Sequence, residues 1–120
     1  MKQVEKKYRS VPFWSWNDKL EPDVLIEQIH WMKEKGLGGF IMHARSGLIT
    51  EYLSKEWMKC IEICAKEAQA LHMKAWVYDE NGWPSGFGAG VVNGMGIEYQ
   101  QKYLRCKETD VEIHDDTTIV

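Results

Sequence analysis

The chain has 120 residues, a formal net charge of −3 and 44% hydrophobic residues. It is too apolar for a disordered chain and lacks the basic block of a nucleic-acid surface. It also lacks the run of ~20 apolar residues that would span a bilayer. The segment from Met1 to Ser10 is polar, with no apolar stretch of a signal peptide, so a cytoplasmic protein is expected. Cys60, Cys64 and Cys106 are odd in number and wrongly spaced for zinc. They read as free thiols, with Cys60 and Cys64 buried on a helix, and no metal or cofactor is expected.

Val11 to Trp16 reads as a first strand, with Pro12 at its start. Trp14 and Trp16 share one face, and Phe13 and Ser15 the other. Asn17-Asp18 stop it. Pro22 suits the first position of a helix, and Asp23 suits its positive end. Leu25, Ile29 and Met32 recur at helical spacing, and Gly36 closes the helix behind Lys33 and Lys35. Phe40-Ile41-Met42 is a continuous apolar run, the mark of a parallel strand covered on both faces. His43, Ala44, Arg45 and Ser46 follow at its C-terminal end, and Gly47 to Leu53 forms a longer loop.

Ser54 caps the next helix, with Glu56 in its first turn. Trp57, Ile61, Cys64, Ala68 and Leu71 form its apolar stripe. Lys74 to Tyr78 is the third strand, rich in β-favouring types. Asn81-Gly82 and Pro84-Ser85-Gly86 then turn the chain. After Gly86 the glycines at 88, 90, 94 and 96 loosen the pattern. Glu98 to Leu104 reads as a short helix, and Arg105 to Val120 as a strand or hairpin. The order βαβαβ implies an α/β fold with a parallel sheet. Residues 11–90 would hold three strands and two helices, and residues 91–120 an irregular or strand-rich tail of the same single partial domain.

In such a sheet the strand ends converge on one rim, where parallel α/β proteins place ligand chemistry. The candidates for that rim are Trp16, Asn17 and Asp18, then His43 and Arg45, then Asp79, Glu80, Asn81 and Trp83. Carboxylates and amides hydrogen-bond sugar hydroxyls, and indoles stack on sugar rings. Arg45 can hold a carboxylate. Asp79 and Glu80 are adjacent, so a regular strand points them to opposite faces and they cannot form a glycosidase acid pair. His43 fits either a structural role or a functional one. Metal binding by His43, Asp79 and Glu80 lacks the spacing, and Ser85 in Pro-Ser-Gly is no nucleophile elbow.

Pro12-Phe13-Trp14-Ser15-Trp16-Asn17, Gly36-Leu37-Gly38-Gly39-Phe40, His43-Ala44-Arg45-Ser46-Gly47-Leu48, Trp57 and Val77-Tyr78-Asp79-Glu80-Asn81-Gly82-Trp83-Pro84-Ser85-Gly86 occur in this order. Together they resemble the N-terminal part of the catalytic domain of α-L-rhamnosidase-like glycoside hydrolases, family 106 and its relatives. The resemblance runs from about Val11 to Gly90. It implies the first part of a (β/α)8 barrel that hydrolyses O-glycosidic bonds, with the acid and base glutamates on later strands. On that reading Trp16, Asn17, His43, Arg45, Asp79, Glu80 and Trp83 are substrate-binding residues, and the catalytic pair is not assigned.

A full barrel of this kind needs ~250 residues. The 120 residues here are expected to be a fragment, a truncated product or a half-barrel that pairs with a second copy. The alternative is a non-catalytic carbohydrate-binding or assembly module. The expected partners are an oligosaccharide or glycoside and a second copy of the chain, with no nucleic acid and no membrane.

Overall fold

The computed structural model describes residues 5–82, 86, 88–108 and 110. Strands β1 (Phe13–Trp16), β2 (Gly39–Ala44) and β3 (Lys74–Asn81) form one parallel sheet in the order β1-β2-β3. Helices α1 (Pro22–Glu34) and α2 (Lys55–Ala70) connect them. A short helix α3 (Val91–Gly94) and single 3-10 turns at Lys6–Tyr8, Gly88–Gly90 and Ile97–Tyr99 complete the regular structure among the described residues.

The helix ends follow from local chemistry. Pro22 opens α1 where its missing N–H costs nothing. At the other end Gly36 adopts φ +82°. Leu37 N–H bonds to the Met32 carbonyl and Gly36 N–H to the Lys33 carbonyl, the paired closure that a left-handed glycine permits. The Ser54 hydroxyl accepts the Trp57 N–H at 3.1 Å and so caps α2.

Both helices pack on one face of the sheet. Trp16, Phe40 and Met42 from the strands meet Leu25 and Ile29 of α1 and Trp57, Cys60, Cys64 and Ala68 of α2. The aromatic rings meet edge to face: Trp14 with Trp16 and Phe40, and Trp57 with Trp16 and Tyr52. Burial pushes the Cys64 thiol up to about 12, so it stays protonated and inert at neutral pH. The α1–α2 seam is tied by His30 Nε2 to Glu67 at 2.8 Å and by Lys33 Nζ donating to the Leu71 carbonyl at 2.6 Å.

One glycine is demanded by the sheet itself. A Cβ on Gly39 would overlap the Lys74 carbonyl oxygen and touch the Trp76 ring, so only glycine lets β2 and β3 approach here.

The opposite face of the sheet carries Phe13, Ile41, His43, Trp76 and Tyr78. Phe13 and Trp76 are 45% and 42% exposed, so no described element covers this face as the helices cover the other. His43 is the exception on it. Its ring is fully buried, edge to face with Phe13 at 4.6 Å and with Tyr78 at 4.4 Å.

Four expectations change. Strands β2 and β3 run on to Ala44 and Asn81, because His43 and Ala44 pair with Ser15 and Trp16 of β1 and Ala44 also pairs with Asn81. Strand β1 starts at Phe13 rather than Val11. The buried face of α2 runs through Cys60 rather than Ile61, which is only half-buried. The helix expected over Glu98 to Leu104 is a single turn at Ile97–Tyr99, and residues 101–108 and 110 have no regular structure. Gln100 takes extended backbone, φ −84° and ψ 146°, and so ends the helical turn after Tyr99. The rest of the strand or hairpin expected to reach Val120 lies outside the described residues. No helix of the described residues is long and apolar enough to cross a membrane.

Candidate functional site

Parallel pairing brings the C-terminal ends of β1, β2 and β3 to one rim. The connections there are stitched together. Arg45 N–H donates to the Trp16 carbonyl at 2.9 Å, Ile49 N–H to the Asp18 carbonyl at 3.3 Å, and Leu20 N–H to the Thr50 hydroxyl at 2.9 Å. Gly47 makes the close approach possible. Its φ is +97°, and a Cβ there would sit 2.9 Å from the Asn17 carbonyl oxygen.

Arg45, Ser46, Gly47, Leu48, Tyr52 and Asn81 line a depression of about 280 Å³ at this rim. Its polar groups are a guanidinium, two hydroxyls and an amide. The Asn81 Oδ1 atom is buried without a hydrogen-bond partner among the described residues, so the site holds one unused acceptor. Burial, and then the charges of Glu80 and Asp79, raise the Tyr52 phenol above its ordinary value, so Tyr52 is a neutral donor at physiological pH.

The predicted residues part company here. Arg45 and Asn81 line the depression together. Asn17 is exposed on the rim beside Gly47. Trp16 lies in the core on the helix-facing side, 2% exposed. His43 sits inside β2, where Nε2 donates to the Gly82 carbonyl at 3.0 Å. Burial lowers its pKa, the Gly82 bond opposes that, and Arg45 adds to it, so the ring is neutral at pH 7. With Nε2 carrying the proton, Nδ1 is a buried acceptor without a partner among the described residues.

Asp79 is exposed and Glu80 is buried, 7% exposed. Trp83 lies outside the described residues. The pairing of β2 with β3 is irregular at this point. Met42 pairs with Val77 and Ala44 with Asn81, so β2 advances two residues while β3 advances four. This excess length carries Tyr78, Asp79 and Glu80 and brings Asn81 level with Ala44. Among the described residues no three His, Cys, Asp or Glu side chains cluster as metal ligands.

Sequence reasoning passed over Tyr52, which sits in the loop before α2. The available signal was weak: an aromatic residue two positions before the Ser54 cap, in the loop that follows the end of β2.

Comparison with solved structures finds a rhamnosidase from Novosphingobium sp. PP1Y, with a TM-score of 0.60 and 25% sequence identity. The match covers 69% of this chain and 9% of that one, so the chain spans under a tenth of the length of that rhamnosidase. No protein-family model matches the sequence. No curated protein matches it either.

Proposed function

We propose that this chain forms the first three strands of a (β/α)8 barrel in a glycoside hydrolase of the α-L-rhamnosidase-like kind, and that its rim contributes sugar-binding residues. The observation that carries the reading is the polar depression at the C-terminal ends of three parallel strands, in a unit similar to part of a rhamnosidase. Barrel enzymes of this type place their ligands at that end of the strands.

The chemistry suits a sugar hydroxyl array. Arg45 and Tyr52 donate, Asn81 does both, and the exposed Asp79 and Asn17 stand on the same rim. At about 280 Å³ the depression is near the lower bound for small-molecule sites and fits one sugar ring. The chain contributes recognition, while the acid and base carboxylates belong to other strands of the barrel. The open sheet face with Phe13 and Trp76 is then the inward face of that barrel. In the isolated chain a second copy covers it.

Binding is tested by NMR titration of the 120-residue chain with an aryl α-L-rhamnoside. Shifts are expected at the amides of Arg45, Tyr52 and Asn81, with a dissociation constant of ~1–10 mM for so small a site. Absence of shifts at all three up to ~50 mM, equivalent to binding weaker than about −2 kcal/mol, would sink the sugar reading.

A further inference from the structure

The buried carboxylate of Glu80 has partners that a sugar-binding role does not explain. Oε1 accepts the Gly86 N–H at 2.6 Å, and Oε2 accepts the Gly88 N–H at 2.6 Å. A carboxylate this deep is costly unless charge-assisted bonds satisfy it, and each of its oxygens holds one. The glycines are suited to the task. Gly86 has φ +104° and Gly88 φ +53°, left-handed conformations that turn alternate N–H groups toward one anion. Ala89 and Gly90 continue in the left-handed region, at +56° and +74°. The glycine run that weakens the sequence pattern after β3 thus becomes a backbone cradle.

The other end of the same turn is held as well. Gly82 N–H donates to the Ala44 carbonyl at 2.9 Å, and the Gly82 carbonyl accepts from the buried His43 ring. The chain therefore leaves β3 with its first residue fixed to β2 and is brought back to Glu80 at Gly86 and Gly88.

We propose that Glu80 is a positioning residue: it fastens the turn after β3 through Gly86 and Gly88, and Asp79, not Glu80, is the carboxylate that meets a ligand at this rim. The second half rests on the sugar-binding reading above; the first half does not. Two adjacent carboxylates thereby divide the work. Glu80 is buried and Asp79 stands in solvent.

Amide hydrogen exchange and rhamnoside titration, read by NMR on the full chain, test both halves. In the parent chain the Gly86 and Gly88 amides should be protected, because each donates to Glu80. Glu80→Gln keeps one acceptor oxygen and turns a donor toward the other amide. One glycine amide should keep its protection, and the other should exchange about tenfold faster, as loss of a bond to a charged acceptor requires. Glu80→Ala should release both. Asp79→Asn should leave both amides protected and weaken rhamnoside binding about tenfold.

Free exchange of Gly86 and Gly88 in the parent chain overturns the fastening role without need of any variant. So does equal protection in parent and Glu80→Ala chains. Undiminished rhamnoside binding by Asp79→Asn overturns the assignment of Asp79. If the parent chain binds no rhamnoside while the two amides behave as described, the sugar reading falls and the fastening role stands.

Discussion

Replacing Ile29 by alanine should cost the fold far more than replacing Ile61. Ile29 is fully buried on α1 between the sheet and α2. The change deletes its γ and δ carbons. At ~0.8 kcal/mol per buried carbon the transfer loss is about 2.4 kcal/mol. The cavity left behind adds to it. The site is walled by two helices and a sheet and collapses only in part, so the total should reach about 3–4 kcal/mol. Ile61 is half-buried and lines a shallow surface depression with the exposed Leu53 and Met58. Neighbours there can close over the missing carbons, and Ile61→Ala should cost about 1 kcal/mol. Urea unfolding followed by tryptophan fluorescence and far-UV circular dichroism, at low protein concentration, gives both values. The slope of free energy against urea should be unchanged, because neither change alters the area exposed on unfolding by much. An Ile61→Ala loss equal to that of Ile29→Ala would mean that α2 turns a different face to the sheet.

Two further outcomes are expected. His43 is held below its ordinary pKa of 6.5 by burial, so the folded state binds fewer protons than the unfolded state as the pH falls. Its contribution to stability is therefore intact above about pH 6.5 and is lost as the pH drops through the window beneath it. The urea midpoint of the parent chain should fall between about pH 7 and pH 5 by more than that of His43→Gln, and parallel declines would refute the assignment. The isolated chain should also self-associate through the open face that carries Phe13 and Trp76, because large exposed apolar faces and unpaired strand edges are poorly tolerated alone. Light scattering behind a sizing column should report a dimer or larger species, and a clean monomer at high concentration would show that the face is stable in water.

Features set by a few neighbouring residues were legible in the sequence. Pro22 could open a helix because its ring needs no N–H partner there. Gly36 could close it because only glycine takes φ +82° without strain, and Ser54 could cap α2 because its hydroxyl reaches the Trp57 amide. The order of strands and helices followed from apolar runs punctuated by such signals. Other features depended on partners distant in the chain, and these only the tertiary structure decided. How far β2 and β3 run is a matter of pairing, and Ala44 finds Trp16 on one side and Asn81 on the other. Whether Cys60 or Ile61 enters the core depends on the rotation of α2 about its own axis, and residues one apart differ there by about 100°. Trp16 looked like a rim aromatic from its place at a strand end, yet the helices cover its side of the sheet. Asp79 and Glu80 are neighbours of like charge in the sequence. Strand alternation sets them on opposite faces, but only the tertiary structure decides which is buried: Asp79 stands in water, and Glu80 lies against the amides of Gly86 and Gly88.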